Sequence, residues 1–302
     1  MKKLFYLTIA LTITVAVFSQ SANTFFNRGA SKYDAQDFKG AIEDFTEAIK
    51  KKPTDAKAYL SRGISKYHLQ DYKGAIEDQE KALELNPKLC DAYFNKADAK
   101  YGLQDYAGAI EEYTKAITCN PKDAMAFVSR GLTKQYIKDY AGAILDFTKA
   151  IKVSPELADI YVNRGVAKSY MGDYKDAIED YTKAIKINQV SEAYYQRGVA
   201  KDALLDYKDA ISDFNKAIEI NPKVAKFYHY RGLTKVNLKD IEGAVIDFSK
   251  AIEVNPRFSE AFYNRGKYSI ELGLMIDACL DFTRAVNLGN DNAKKAKLQY
   301  CK

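Results

Sequence analysis

AKAYLSRGISKYHLQDYKGAIEDQEKALELNPKL, running from Ala56 to Leu89, decides the fold. Its apolar residues return at the three- and four-residue intervals of amphipathic helices, and two helices fit into it. The first extends from about Lys57 to Leu69 and is broken at Gln70-Asp71. The second covers Tyr72 to Leu85 and is stopped by Asn86-Pro87, because proline lacks the amide a continuing helix needs.

The same phrase returns along the chain. Arg-Gly recurs at Arg28-Gly29, Arg62-Gly63, Arg130-Gly131, Arg164-Gly165, Arg197-Gly198, Arg231-Gly232 and Arg265-Gly266, and Lys96-Ala97 fills the missing place. Successive spacings are 34 residues, except one of 33. The copies are residues 22–55, 56–89, 90–123, 124–157, 158–190, 191–224, 225–258 and 259–290. A fixed period of this size signals a solenoid of stacked units. It displaces the two domains that 302 residues would suggest at roughly 150 each.

Numbering each copy from its first residue, slot 8 is glycine in every copy but the third, and slots 20 and 27 are always alanine (Ala41 to Ala278, Ala48 to Ala285). Glycine inside a helix costs about 0.5–1 kcal/mol against alanine, so its return at slot 8 predicts a close approach between helices. Slot 4 is always Phe or Tyr, slot 17 is aromatic from Phe38 to Tyr207, and slot 24 is aromatic except at Gln79. These slots absorb most of the 23 Tyr and 15 Phe. Glycine also returns at slot 19 (Gly40, Gly74, Gly108, Gly142, Gly243), where the helical pattern gives no reason for it.

A helix–turn–helix of this length, aromatic at slots 4, 17 and 24, small at 8, 20 and 27, with Pro53, Pro87, Pro121, Pro155, Pro222 and Pro256 at slot 32, resembles the tetratricopeptide repeat family. The resemblance implies an all-α fold: a right-handed α-α superhelix of eight helix–turn–helix repeats. It departs from the family in having Tyr or Phe rather than Trp at slot 4, Gln189 for proline in the short fifth copy, and Met275 and Asn290 in the eighth. Asp291 to Lys302 reads as a capping helix, with Ala293, Ala296, Leu298 and Tyr300 toward the last repeat.

Ahead of the repeats, Met1-Lys2-Lys3, the uncharged run Leu4 to Phe18 and the small residues at Val17 and Ser19 have the grammar of a secretory signal peptide, residues 1–19. An uncleaved anchor is the other reading, but the run is shorter than the roughly 20 residues a spanning helix needs. No later stretch is apolar enough to span a bilayer. A secreted or periplasmic bacterial protein is the expectation.

Charge follows the repeat. Slot 7 is Arg in seven copies, slot 11 is Lys in seven, and slot 23 is acidic in all eight, from Asp44 to Asp281. Base and acid recurring together predict a ladder of exposed ion pairs between the two helices, worth about 0–1 kcal/mol each and so selecting register more than stabilising. The competing reading is a basic stripe for a polyanion. The net charge of +6, part of it Lys2 and Lys3 of the leader, does not by itself call for nucleic acid. There is no phosphate loop, nucleophile elbow or paired-His zinc motif. His68 and His229 stand almost five repeats apart. Neither catalysis, nor a cofactor, nor a metal is expected.

Cys90 begins the first helix of the third copy and Cys119 ends its second, so an antiparallel hairpin brings them to the same side. Two readings stand: a disulfide, which export permits, or two small, part-buried apolar residues. Cys279 and Cys301 pose the same choice.

The family resemblance implies a protein or peptide partner on the concave face made by the first helix of each repeat. The candidate groove residues at slots 5, 6 and 12 are Phe26, Asn27, Tyr33, Leu60, Tyr67, Phe94, Asn95, Tyr101, Asn163, Tyr195, Tyr263 and Asn264. In some members of the family, asparagines at slot 6 hydrogen-bond an extended peptide backbone, since an amide both donates and accepts; simple solvation of the helix is the other reading. The functional expectation is an exported, non-catalytic scaffold or adaptor. A polyanion- or polysaccharide-binding envelope protein is the alternative.

Overall fold

The computed structural model describes residues 21–301, which form helices and turns and no strand. The leader assigned to residues 1–19 lies outside the described residues. The chain divides into two compact units, Met1–Asp146 and Phe147–Lys302. The first contains α1 (Ala22–Asp34), α2 (Phe38–Lys51), α3 (Ala56–His68), α4 (Tyr72–Leu85), α5 (Cys90–Gly102), α6 (Tyr106–Cys119) and α7 (Ala124–Tyr136). The boundary falls inside α8 (Tyr140–Val153). The second contains α9 (Ala158–Tyr170), α10 (Tyr174–Ile187), α11 (Ser191–Ala203), α12 (Tyr207–Ile220), α13 (Ala225–Asn237), α14 (Ile241–Val254), α15 (Ser259–Glu271), α16 (Met275–Asn287) and α17 (Asp291–Tyr300). Within each unit consecutive helices pack pairwise, and each pair packs on the next, as in a tetratricopeptide-type α-solenoid.

Each first helix ends one residue earlier than the apolar pattern predicts. In α3 the Leu69 position is already the cap, Gln70 turns to φ 62°, and the Asp71 amide donates to the Lys66 carbonyl at 3.0 Å. This is a Schellman ending, usually made by glycine. At these first-helix ends Gln36, Gln70, Gln104, Lys138, Leu205 and Lys239 adopt the left-handed conformation, while Gly172 and Gly273 do so without a side chain.

The core lies between the paired helices. Alanines at slots 20 and 27 and the slot-24 rings are buried, with Phe147, Tyr181, Phe214, Phe248 and Phe282 fully enclosed. Slot-17 rings and several slot-4 rings are only half-buried, so the aromatic surplus is less a core feature than the pattern implies. The slot-8 glycines make room for the slot-24 ring: a Cβ on Gly165 would stand 2.6 Å from Tyr181 Cε1. The close approach is thus mainly ring onto backbone.

Slot 23 holds the interior charge. Asp180 is 1% exposed and accepts Arg164 Nε and Nη2 at 2.9 and 2.6 Å and Lys168 Nζ at 2.8 Å. The third guanidinium nitrogen reaches out of the repeat, Arg164 Nη1 donating to Thr148 Oγ1 of the preceding copy at 3.0 Å. Arg62, Arg197, Arg231 and Arg265 repeat this arrangement on Asp78, Asp213, Asp247 and Asp281, with Thr46, Thr182, Asn215 and Ser249 as outer acceptors. The predicted ladder is present, but its carboxylates are buried, not exposed. That raises the cost of removing one partner to about 3–5 kcal/mol. Hydrogen bonding from Arg28 holds Asp44 below the usual carboxylate range.

The slot-19 glycines have their reason here. Asp37, Asp71, Asp105, Asp139 and Asp240 cap the second helices by accepting the slot-19 amide at 2.9–3.0 Å. A Cβ at Gly108 would overlap the Asp105 carboxylate. Where slot 19 is Asp176 or Asp209, the N-cap residues Asp173 and Asp206 make no such bond.

Two disulfides lock the hairpins. Cys90–Cys119 joins the start of α5 to the end of α6 with Cα atoms 5.5 Å apart, which fixes these helices as antiparallel. Cys279–Cys301 ties the chain after α17 to α16. In α17, Ala293 is buried and Ala296 half-buried, but Leu298 is 75% exposed and Tyr300 also faces out. Five residues beyond Ala293, Leu298 is turned to the far side of the helix, and Ala296 and Cys301 pack on the last repeat's core instead.

A helix cap is worth about 1 kcal/mol where its hydrogen bond exists. Asp105→Ala is therefore expected to lower stability by about 1 kcal/mol in denaturant unfolding, while Asp206→Ala changes it by a few tenths.

Candidate functional site

The first helices of the first unit carry an aromatic face. Slot-5 rings sit over the slot-24 residue of their own repeat: Phe26 is 5.5 Å from Phe45 and Phe94 is 5.6 Å from Tyr113. Slot-12 tyrosines lean on the slot-17 ring across the bend, Tyr33 on Phe38, Tyr67 on Tyr72 and Tyr101 on Tyr106, at 5.3–5.5 Å. His68 extends this row, stacked 4.5 Å from Phe38 with Nε2 2.9 Å from the Tyr33 hydroxyl. Tyr136 packs against Tyr106 with the rings tilted and their centroids 4.7 Å apart, and is 61% exposed. Its hydrogen bond pushes the Tyr106 phenol up to about 12.

Phe26, Tyr33, Leu60, Tyr67, Phe94 and Asn95 are half-buried, and Asn27 and Tyr101 are exposed. Between the first two repeats, Ala30, Tyr33, Asp34, Phe45, Ser61 and Ile64 line a pocket of about 130 Å³. The sequence-predicted residues of this unit therefore share one face, half-open to solvent. The face is steadied by ring-on-ring contacts worth about 0.5–1.5 kcal/mol each.

The second unit differs. Tyr195 is 7% exposed and enclosed by Phe214, Phe227 and Tyr230, so it offers a partner little surface. Tyr263 is half-buried over Phe282 at 6.2 Å. His229, at the same slot, is buried against Phe248 and Phe258, and burial lowers its pKa to about 4.

The asparagine rungs are partly spent. Asn95 Nδ2 donates to the Asp91 carbonyl at 2.7 Å and Asn264 Nδ2 lies 2.8 Å from His229 Nε2. Asn27 and Asn163 make no side-chain hydrogen bond among the described residues. The basic stripe is spent as well, since its arginine and lysine heads converge on buried carboxylates. Among the described residues no group of His, Cys, Asp and Glu is arranged to hold a metal. No helix among them is long and apolar enough to cross a membrane.

Asp98 is the residue the sequence reading missed. It stands at slot 9, where most other copies are apolar, and accepts the buried Tyr113 phenol at 2.5 Å. Burial raises its pKa to about 6, against the lowering effect of the Tyr113 bond. The signal was the company it keeps: the third copy also departs at Lys96, Ala97 and Glu112.

Tetratricopeptide repeat models match residues 26–89, 90–123, 158–189, 191–224 and 225–258. The chain belongs to the tetratricopeptide repeat family. No curated protein sequence matches it. Among solved structures, the C-terminal part of a repeat-containing protein from Cytophaga hutchinsonii is similar with a TM-score of 0.65 and 19% identity, over 79% of this chain and 98% of that one. A tetratricopeptide repeat protein from Parabacteroides merdae gives 0.61 and 20%, over 83% and 100%. MamA gives 0.51 and 24%, over 56% and 92%. These likenesses place the fold. In the tetratricopeptide repeat family that fold is a protein-interaction scaffold.

Because folded Asp98 keeps a proton that the unfolded chain releases, stability falls as pH rises from the ordinary carboxylate value to about 6. Asp98→Asn retains an acceptor for Tyr113. It is expected to stabilise by about 1–2 kcal/mol at pH 8 and to change nothing at pH 4, measured by thermal and denaturant unfolding.

Proposed function

We propose that this chain is an exported, non-catalytic scaffold that binds a protein or peptide on the first-helix face of its first unit. The observation that carries the reading is the row Tyr33, Tyr67 and Tyr101, half-buried to exposed, beside the pocket of about 130 Å³ at Tyr33 and Ile64. Rigid aromatic side chains give large contact area at low entropic cost, and they dominate protein interfaces. The pocket is of a size to take one apolar side chain of an extended partner. Exposed Asn27 supplies an amide that both donates and accepts toward a main chain. The polyanion alternative loses its main support, because the cations that suggested it are held by Asp78, Asp146, Asp180, Asp213 and Asp247.

Export is supported by the leader grammar of residues 1–19 and by the pairing of all four cysteines, a state favoured in oxidising compartments.

The test is site-specific photo-crosslinking in the cell of origin, with the crosslinking residue at Tyr101 in one protein and at exposed Glu111 of α6 in another. Discrete adducts are expected from position 101, recovered with the exported fraction and missing from position 111. Identical adducts from both positions, or none from 101, would remove the groove assignment.

A further inference from the structure

Seven repeats place a lysine ammonium on the buried slot-23 carboxylate. Lys32, Lys66, Lys134, Lys168, Lys201 and Lys235 stand 2.8–3.0 Å from the aspartate, and Lys100 stands 3.5 Å from Glu112. Four of them also reach the slot-19 carbonyl: Lys32, Lys66, Lys168 and Lys235, at 3.3–3.4 Å. In the eighth repeat that lysine is Ser269, which is 2% exposed. Asp281 remains buried and keeps Arg265, at 2.8 and 2.7 Å, but among the described residues no ammonium reaches it. A cavity of about 610 Å³ opens there, lined by Ser269, Leu274, Asp277, Asp281, Arg265 and Phe262 among others.

We propose that this cavity is a receptor for a primary alkylammonium group, which seats where the chain's own lysine stands in the other repeats. The sixth repeat is the internal precedent. There slot 19 is also aspartate, and Lys201 lies 2.9 Å from Asp213 and 3.9 Å from Asp209, beside Arg197. With an ammonium bound, the eighth site would hold the same charges: Arg265, Asp277, Asp281 and the guest. Arg284 also lines the cavity, but its counterpart Lys216 turns outward to Glu219 at 2.8 Å, and Arg284 is likewise exposed. Phe262, Leu274 and Leu280 give the guest's methylene stem an apolar wall, as a lysine stem requires. The guest is an amine on a straight alkyl chain, either a free amine or the lysine side chain of a bound protein.

The experiment titrates the full chain with n-butylammonium, with Nα-acetyl-lysine methylamide and with neutral n-butanol, following the NMR signals of residues 269 and 281. Saturable shifts are expected with the amines and not with butanol. Ser269→Lys refills the place and should weaken amine binding by at least about tenfold, the loss of a charge-assisted contact. Asp277→Asn, at an exposed position, should weaken it while leaving the fold intact. Tighter binding of Nα-acetyl-lysine methylamide supports a protein lysine as guest, and tighter binding of butylammonium supports a free amine. Equal shifts with butanol, or amine binding unchanged in both variants, would overturn the proposal. Crosslinking at Tyr101 reads the groove independently of this site.

Discussion

A carboxylate buried between two helices must be met by enough positive charge and enough donors, and most of this protein's sequence pattern follows from that requirement. Arginine at slot 7 supplies two parallel bonds to it, lysine at slot 11 supplies a third, and the remaining guanidinium nitrogen reaches the preceding repeat. The slot-4 ring lies against the same guanidinium, as Tyr161 does 5.8 Å from Arg164. One buried group thus links the two helices of a repeat and the repeat to its neighbour. A planar, permanently charged fork suits the task better than an ammonium. The shortened fifth copy shows how firmly the geometry is kept. Arg197 reaches Thr182 at 3.0 Å across 15 residues instead of 16, so the missing residue is absorbed in the Asn188–Val190 turn and the joint is preserved.

The third repeat shows what happens when the arginine is lost. Lys96 cannot make the fork, and the longer Glu112 replaces aspartate to reach it at 3.5 Å. Glu80 of the preceding repeat replaces the usual threonine and holds Lys96 at 2.9 Å. Burial pushes Glu112 up, while hydrogen bonding from Lys115 and the charges of Lys96, Lys115 and Lys100 bring it below its ordinary value. The Cys90–Cys119 disulfide lies in the same hairpin. A closed loop of this size contributes on the order of 3 kcal/mol by restricting the unfolded chain. Substitutions that look like scatter in the sequence are compensations around one charge.

The fold was legible because eight copies average away local noise: the recurrence of Arg-Gly and of Ala at slots 20 and 27 leaves few alternatives. What was not legible depends on geometry within a turn or on depth. The slot-19 glycines answer to a carboxylate three residues earlier, and the residues at slot 15 are mostly Gln or Lys, which mark the break but do not announce its left-handed backbone. Exposure was the harder quantity. Tyr195 and Tyr101 both read as groove lining, yet Tyr195 is enclosed by Phe214, Phe227 and Tyr230 while Tyr101 stays open. Asp98 was visible as one of several departures in the third copy and Ser269 as a departure at slot 11, and their meaning needed the burial of Tyr113 and Asp281 around them.

Asp180→Asn tests the dependence on the buried carboxylate most directly, because it keeps the shape and removes only the charge that Arg164 and Lys168 share. Its unfolding free energy is best compared with that of Glu219→Gln, which breaks the exposed pair with Lys216. A loss of about 3–5 kcal/mol at Asp180 against less than about 1 kcal/mol at Glu219 is predicted. Similar small losses at both positions would contradict the claim that these carboxylates organise the fold.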